Sequence, residues 1–138
     1  MKGDFFIDTN IFVYSFDHSA HEKRKKSIAL IRQALDSNKG CISTQVMQEF
    51  LNVATRKFYF PPDKLRTYLD QVLDPLCQIY PSATLYQIAL EIKGTYQLSF
   101  YDALIIAAAS EANCSKLYSE DLQNQQVIQE IKIVNPFA

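Results

Sequence analysis

The stretch Phe5-Phe6-Ile7-Asp8-Thr9-Asn10-Ile11-Phe12 decides the fold of this chain. Its first three residues are all apolar, which is typical of a short strand that is buried on both faces and covered by helices. Asp8 follows this run directly, and residues 11–16 then have the pattern of a helix. The stretch therefore predicts a β-strand that leads straight into a helix, with a carboxylate at the junction.

Short apolar runs and helical segments alternate along the rest of the chain. The apolar runs predict further strands at residues 41–42, 76–80, 116–118 and 131–134. Helical spacing and capping residues predict helices over residues 18–39, 44–58, 63–73, 83–94 and 100–113. Such alternation is typical of parallel strands that are joined by helices. We therefore predict an α/β fold with three layers, α/β/α, around a mainly parallel central sheet of about five strands.

The size and composition are those of one globular domain. The chain has 138 residues, of which 48% are hydrophobic and 21% are charged, so we expect a single domain over residues 1–138 with one core. The net charge of −1 excludes a protein that binds nucleic acid by charge alone. No apolar run approaches the roughly 20 residues that a membrane span requires, so we expect no membrane association.

The three cysteines, Cys41, Cys77 and Cys114, have neither the spacing of a zinc site nor that of a redox motif. Their odd number also argues against a framework of disulfides. We therefore expect buried, reduced thiols in a cytoplasmic protein.

Four acidic residues fall where a site can form. Asp8 and Asp121 follow the first and the fourth predicted strands. Glu49 lies in the helix after the second strand, and Asp102 lies in the first turn of the helix over residues 100–113. In an open parallel sheet, sites form at the carboxyl ends of the strands. We therefore expect the four carboxylates to meet at one edge of the sheet.

Two of these acids share a helix face with apolar residues. Glu49 lies three residues after Val46 and four before Val53, and Asp102 shares a face with Ile105. A carboxylate on an apolar face is costly unless a cation or a metal compensates its charge. No lysine or arginine is evident on these faces, which favours a metal.

Each acid also has a purely structural interpretation. Asp8 and Asp102 suit helix starts, Asp121 suits a turn, and Glu49 can reach solvent. Taken together, several carboxylates at one edge repel one another, and divalent cations relieve this repulsion. Oxygen ligands select Mg²⁺ or Mn²⁺, and such a site is suited to the hydrolysis of phosphodiester bonds.

Four stretches match a known family in their order and spacing. They are residues 6–12 (FIDTNIF), 42–50 (ISTQVMQEF), 98–109 (LSFYDALIIAAA) and 117–122 (LYSEDL). With these motifs the chain resembles the PIN domain, and within it the VapC-like ribonuclease toxins of toxin–antitoxin systems. The resemblance implies a compact α/β/α fold and an endoribonuclease that depends on Mg²⁺ or Mn²⁺, with one or two ions per site. It also implies a homodimer that an antitoxin protein inhibits.

The resemblance implies roles for individual residues as well. The catalytic acids are Asp8, Glu49, Asp102 and Asp121. All four are metal ligands, Glu49 either directly or through water. The supporting residues are Thr9, Asn10, Ser119 and Glu120. Because Glu120 stands beside Asp121, either of the two can be the fourth acid.

An RNA substrate also needs cations near an acidic site. The candidates are Lys23, Arg24, Lys25, Lys26, Arg56 and Lys57. Runs of charge are more often solvated helix faces, and we expect this of at least half of these side chains. The aromatic segment at residues 58–60 can stack on bases, but we favour a contact surface for a second copy or an antitoxin.

Two other functions stay open. A PIN-like module without catalytic activity can bind RNA or a protein, although its acidic set would then repel itself for no benefit. A haloacid-dehalogenase-type phosphatase also has a nucleophilic aspartate after its first strand. Its second acid, two residues later, is replaced here by Asn10, and a lysine positioned near the later acids is not evident.

Overall fold

Helices and strands alternate along most of residues 4–138, the part of the chain that the computed structural model describes. The strands are β1 (Phe5–Ile7), β2 (Gly40–Ser43), β3 (Cys77–Ile79), β4 (Lys116–Tyr118), β5 (Val127–Ile128) and β6 (Ile131–Val134). The helices are α1 (Thr9–Tyr14), α2 (His21–Ser37), α3 (Thr44–Arg56), α4 (Pro62–Tyr68), α5 (Asp74–Leu76), α6 (Ala83–Tyr96) and α7 (Phe100–Glu111). A π-helical segment, Leu69–Leu73, joins α4 to α5.

The strands form one sheet in the order β3-β2-β1-β4-β6-β5, with β1 near its middle. β1 pairs in parallel with β2 and with β4, and the pairs β2–β3 and β4–β6 are parallel as well. Successive side chains of a strand point to opposite faces, and Phe5, Phe6 and Ile7 are all buried. Both faces of β1 are therefore covered, and the predicted α/β fold with a mainly parallel sheet is confirmed.

The sheet has six strands where about five were predicted, and the additional strand is β5. This strand pairs antiparallel with β6 at the sheet edge, with Ile128 opposite Ile131. The turn between them holds Gln129 and Glu130 at φ angles of 54° and 65°. Turns of this kind usually carry asparagine or glycine, so the sequence lacks the ordinary signal for a hairpin.

The helices form close to their predicted places, with one exception. Ser82 and Ser99 cap α6 and α7, since their hydroxyls accept hydrogen bonds from the backbone N–H groups of Leu85 (3.0 Å) and Asp102 (3.1 Å). The helix predicted over residues 63–73 is wrong in its course, because α4 ends at Tyr68 and the backbone widens into the π-helical segment.

α7 forms the centre of the core. Its residues from Ala103 to Ala109 are all buried, which confirms the prediction of a helix that is enclosed on nearly every side. The helix contacts β2, β4 and β6, and its first turn carries Asp102. No helix of residues 4–138 has both the length and the apolar character that a membrane span needs.

Candidate functional site

Asp8 caps α1 and is also the most enclosed acid of the candidate site. Its carboxylate accepts one 2.7 Å hydrogen bond from the backbone N–H of Thr9 and another of 2.7 Å from the hydroxyl of Ser119. The residue is only 7% exposed. The structural and the functional interpretations of Asp8 are therefore compatible, because capping holds the carboxylate at the end of β1.

Burial changes the pKa of the Asp8 carboxyl. It raises the pKa of the Asp8 carboxyl from 3.8 to about 6, although the hydrogen bonds from Ser119 and Thr9 oppose this rise. The negative charges of Asp121 and Glu49 raise the pKa further. Glu49 and Asp121 are thus both close enough to Asp8 to act on its carboxyl electrostatically.

Glu49 is half-buried and held from two sides. The hydroxyl of Thr9 donates a 2.6 Å hydrogen bond to one carboxylate oxygen, and the side-chain amide of Gln45 donates a 3.2 Å hydrogen bond to the other. The Glu49 carboxylate is therefore held within the site by Thr9 and Gln45. Since Thr9 also bonds to Asp8 through its backbone N–H, this residue couples the two acids.

Asp121 lies on the exposed side of the site and is held by Asn10. The amide nitrogen of Asn10 donates a 3.0 Å hydrogen bond to the Asp121 carboxylate, and the backbone N–H of Asp121 donates to the Ser119 hydroxyl at 3.2 Å. The amide oxygen of Asn10 is buried and has no hydrogen-bond partner among residues 4–138. An acceptor oxygen beside a carboxylate is thus left without a donor.

Glu120 has a different environment from its neighbour Asp121. It forms an ion pair with the Lys23 ammonium and accepts a 2.6 Å hydrogen bond from the Tyr14 hydroxyl. Burial raises the pKa of the Glu120 carboxyl, but these hydrogen bonds outweigh burial, so the pKa is lowered. A lysine is therefore positioned near the later acids, contrary to the sequence prediction, and it compensates Glu120.

Asp102 is the predicted acid that the structure does not connect to the others. It is half-buried in the first turn of α7, and its carboxylate forms no hydrogen bond or ion pair within the described part of the chain. The nearest link passes through Gln45, which donates a 3.2 Å hydrogen bond to the carbonyl oxygen of Tyr101. Gln45 thus joins the Glu49 side chain to the start of α7.

Gln45 and Tyr14 contact the acids, and sequence reasoning missed both. A signal for Gln45 was available, because it precedes Glu49 by four residues and such residues are neighbours on a helix surface. No comparable signal pointed to Tyr14, whose partner Glu120 is more than a hundred residues away in the chain.

Glu49, Glu120 and Asp121 border an open, acidic cleft of about 480 Å³, whose lining does not include Asp8 or Asp102. Its lining includes Thr9, Asn10, Glu49, Glu120 and Asp121, together with one predicted RNA-binding cation, Lys57. Arg56 and Lys57 line an adjoining hollow.

The other predicted cations lie on α2. Lys23 is engaged by Glu120, Arg24 is half-buried, and Lys25 and Lys26 are exposed. The expectation that many of these charges are a solvated helix face agrees with the exposure of Lys25 and Lys26.

The residue chemistry at this edge suits a hard divalent cation. Within residues 4–138, no lysine, arginine or histidine forms an ion pair with Asp8, Glu49, Asp102 or Asp121. The unpaired oxygen of Asn10 adds a neutral oxygen ligand to these carboxylates. In the same described range no three acidic, histidine or cysteine side chains form a preformed metal-ligand group. Asp8 and Glu49 bond to Ser119, Thr9 and Gln45 with one hydrogen bond to each carboxylate oxygen, which leaves each oxygen a further lone pair for a cation.

The fold is an α/β fold with a mainly parallel sheet, and acids follow its strands β1 and β4. The carboxyl ends of the strands are where sites form in such sheets. The model of the PIN domain family matches residues 5–128. The chain therefore belongs to the PIN domain family, which confirms the predicted resemblance. A comparison with curated protein sequences finds no match.

Two solved structures share the fold. The first, a toxin–antitoxin complex from Klebsiella pneumoniae, is similar with a TM-score of 0.66 and 22% identity, over 95% of this chain and 96% of that one. The second, Mycobacterium tuberculosis VapC20, described as a toxin that cleaves the sarcin–ricin loop, is similar with a TM-score of 0.59 and 16% identity. That match covers 85% of this chain and 89% of VapC20.

Proposed function

We propose that this protein is a metal-dependent endoribonuclease that hydrolyses RNA phosphodiester bonds with Mg²⁺ or Mn²⁺. The observation that carries the proposal is the acidic set around Thr9 and Asn10, in which the charges of Glu49 and Asp121 act on Asp8 and no cation pairs with any of the three among residues 4–138. Membership of the PIN domain family supports the same activity.

Each residue has a role in this proposal. Asp8, Asp102 and Asp121 would hold one or two ions, and Glu49 would contribute directly or through water. Bound Mg²⁺ or Mn²⁺ supplies an activated water and neutralises charge on the phosphate and the leaving oxygen. Ser119 orients Asp8, and Thr9 orients Glu49.

Asp121 is a better candidate for the fourth ligand than its neighbour Glu120. The charge of Glu120 is compensated by Lys23, whereas the Asp121 carboxylate accepts a hydrogen bond only from the neutral side-chain amide of Asn10 among residues 4–138. An uncompensated carboxylate attracts a cation more strongly than a paired one. We therefore assign Asp121 as ligand and Glu120 as a structural neighbour.

Lys57 is the cation best placed for an RNA phosphate. It lines the same cleft as Glu49 and Asp121 and is 57% exposed, with its ammonium 4.0 Å from Asp17. Arg56 lies beside it in the adjoining hollow. Together they offer positive charge at one end of the acidic cleft, where a backbone phosphate can bind.

We also propose that the protein is the toxin of a toxin–antitoxin pair, that it acts in the cytoplasm and that it forms a homodimer. The names of the two similar structures support the toxin assignment and an antitoxin partner. The exposed ring of Tyr59, 81% accessible beside the stacked pair Phe58 and Phe60, offers an aromatic surface for a protein contact. Growth arrest on expression, relieved by the product of an adjacent gene, would support this assignment, and normal growth would contradict it.

RNA cleavage by the purified protein tests the enzymatic proposal. We expect cleavage with Mg²⁺ or Mn²⁺, none with EDTA, and none from Asp8→Asn. The matched control is Asp36→Asn, which changes an exposed acid of α2 and should cleave like the unmodified protein. Cleavage by Asp8→Asn at the full rate would contradict the proposal. Mn²⁺ binding without RNA cleavage would instead indicate an inert module, and hydrolysis of a phosphomonoester alone would indicate a phosphatase.

A further inference from the structure

A second hollow lies next to the acidic cleft, between α3, α6 and α7. This aromatic groove has a volume of about 320 Å³, within the range of about 300–1,000 Å³ that is typical of small-molecule sites. Its lining includes Ser43, Gln45, Tyr80, Tyr86, Phe100 and Tyr101. Three of its rings are accessible, because Tyr80, Tyr86 and Tyr101 are 55%, 41% and 64% exposed.

Two buried polar atoms in this groove have no hydrogen-bond partner among residues 4–138. They are the hydroxyl oxygen of Ser43 and the side-chain carbonyl oxygen of Gln45. Ser43 is 3% exposed and precedes α3, but its hydroxyl does not cap that helix. Buried polar groups in native proteins are nearly always paired with protein or ordered water, so a water molecule or a polar ligand can provide the partner of each atom.

Gln45 connects the aromatic groove to the acidic cleft. Its amide nitrogen donates to Glu49 and to the carbonyl oxygen of Tyr101, both at 3.2 Å. Since both partners are acceptors, they fix the orientation of the amide and leave its oxygen as a pure acceptor. The amide nitrogen of Gln45 thus contacts Glu49, a proposed catalytic acid, and its amide oxygen is the unpaired acceptor of a residue that lines the groove.

We propose that the aromatic groove binds a nucleobase of the RNA substrate next to the phosphate that is cleaved. This inference rests on the proposed nuclease function. Bases of single-stranded RNA stack on aromatic side chains and present hydrogen-bonding edges, which suits Tyr86 or Tyr101 together with Ser43 and Gln45. The Gln45 oxygen selects an edge with an N–H donor, and an apolar occupant would leave both buried polar atoms unpaired.

Binding of single nucleotides by the full chain, in EDTA so that no cleavage occurs, tests this inference. The probes are the four nucleoside 5′-monophosphates, and ribose 5-phosphate is the control that lacks a base. Dissociation constants come from NMR titration. We expect at least one nucleotide to bind about 5- to 100-fold more tightly than ribose 5-phosphate, the range that stacking on one aromatic side chain provides.

Two variants and one control locate the binding to the groove. Tyr86→Ala should remove most of the advantage of a nucleotide over ribose 5-phosphate. Tyr96→Ala, which changes a tyrosine of the same helix that does not line the groove, should keep it. If Tyr86→Ala fails to fold, Ser43→Ala decides, because removal of an unpaired hydroxyl leaves the fold intact and should still weaken base binding.

Two results would overturn the inference. The first is that nucleotides and ribose 5-phosphate bind with equal dissociation constants. The second is that Tyr86→Ala and Ser43→Ala both bind nucleotides more tightly than ribose 5-phosphate by the same factor as the unmodified protein. A dimer that Tyr86→Ala dissociates, seen by light scattering and unaffected by nucleotides, would assign the groove to a second copy. RNA cleavage is measured separately: base binding without cleavage contradicts the nuclease proposal alone, and cleavage without base binding contradicts the groove proposal alone.

Discussion

The Ser119 hydroxyl donates a 2.7 Å hydrogen bond to the Asp8 carboxylate and accepts a 3.2 Å hydrogen bond from the backbone N–H of Asp121. Ser119 follows β4, and Asp8 follows β1. The pairing of these two parallel strands therefore brings two acids, more than a hundred residues apart in the chain, onto one hydroxyl group. The negative charge at this edge of the sheet therefore results from the parallel pairing of β1 with β4.

Asp8 should make the metal-free protein less stable at neutral pH. Its pKa is raised from 3.8 to about 6, so the folded state favours the protonated acid, and stability falls as the pH rises through about 6. The cost above pH 6 is about 3 kcal/mol for two pKa units. We expect Asp8→Asn to be more stable than the unmodified protein at pH 7.5 by up to this amount, and nearly equal at pH 4.

Urea denaturation in EDTA across this pH range measures the difference. The comparison of the two proteins at each pH cancels the titration of all other groups. A difference in unfolding free energy that does not change with pH would contradict the raised pKa of Asp8.

Thr9 should matter through its hydroxyl. It holds one oxygen of Glu49 at 2.6 Å, and a hydrogen bond to a charged group contributes about 1.5–3 kcal/mol. We expect Thr9→Val to lower kcat/KM for RNA cleavage by about 10- to 100-fold, because Glu49 loses its orientation. Thr9→Ser keeps the hydroxyl and should stay close to the unmodified protein. Equal activity of all three proteins would show that Thr9 only begins α1.

The two neighbouring acids after β4, Glu120 and Asp121, should respond differently to loss of charge. Asp121→Asn removes an uncompensated carboxylate, so we expect Mn²⁺ to bind at least 10-fold more weakly. Glu120→Gln removes the partner of Lys23 and should change Mn²⁺ affinity much less. Calorimetry on both variants measures the affinities, and the reverse order would assign Glu120 as the ligand.

Lys57 should act on RNA binding rather than on the chemical step. It lines the acidic cleft, so Lys57→Ala should raise KM and weaken the salt dependence of RNA binding, because one phosphate contact is lost. The matched control is Lys26→Ala, an exposed lysine of α2 that does not line the cleft. Equal changes in KM for both variants would indicate general attraction by charge.

Much of the fold and half of the candidate site could be predicted, because the sequence patterns that identify them lie within short segments of the chain. The apolar run before Asp8 identifies a buried strand and residues 116–118 identify a second strand, and an acid follows each of them. Position 49 was predicted to lie inside because it shares a helix face with valines, and it is half-buried. Each of these inferences depends on residues close together in the sequence.

Other parts depend on contacts between distant segments. Lys23 and Tyr14 engage Glu120 across about a hundred residues, so no local pattern could separate Glu120 from Asp121. The Asp102 carboxylate forms no hydrogen bond or ion pair within the described residues, so no bonded contact connects it to the other acids. The strand β5 was missed because its tight turn uses glutamine and glutamate.

Mn²⁺ binding to the unmodified protein at pH 6, measured by calorimetry in two buffers of different ionisation enthalpy, tests the central claim most directly. Asp8 is about half-protonated at this pH, and a metal ligand must lose its proton. We predict the release of about half a proton for each Asp8 that binds Mn²⁺, falling towards zero at pH 8, and much weaker binding to Asp8→Asn. Equal affinity and equal proton release in the two proteins would contradict the assignment of Asp8 as a metal ligand.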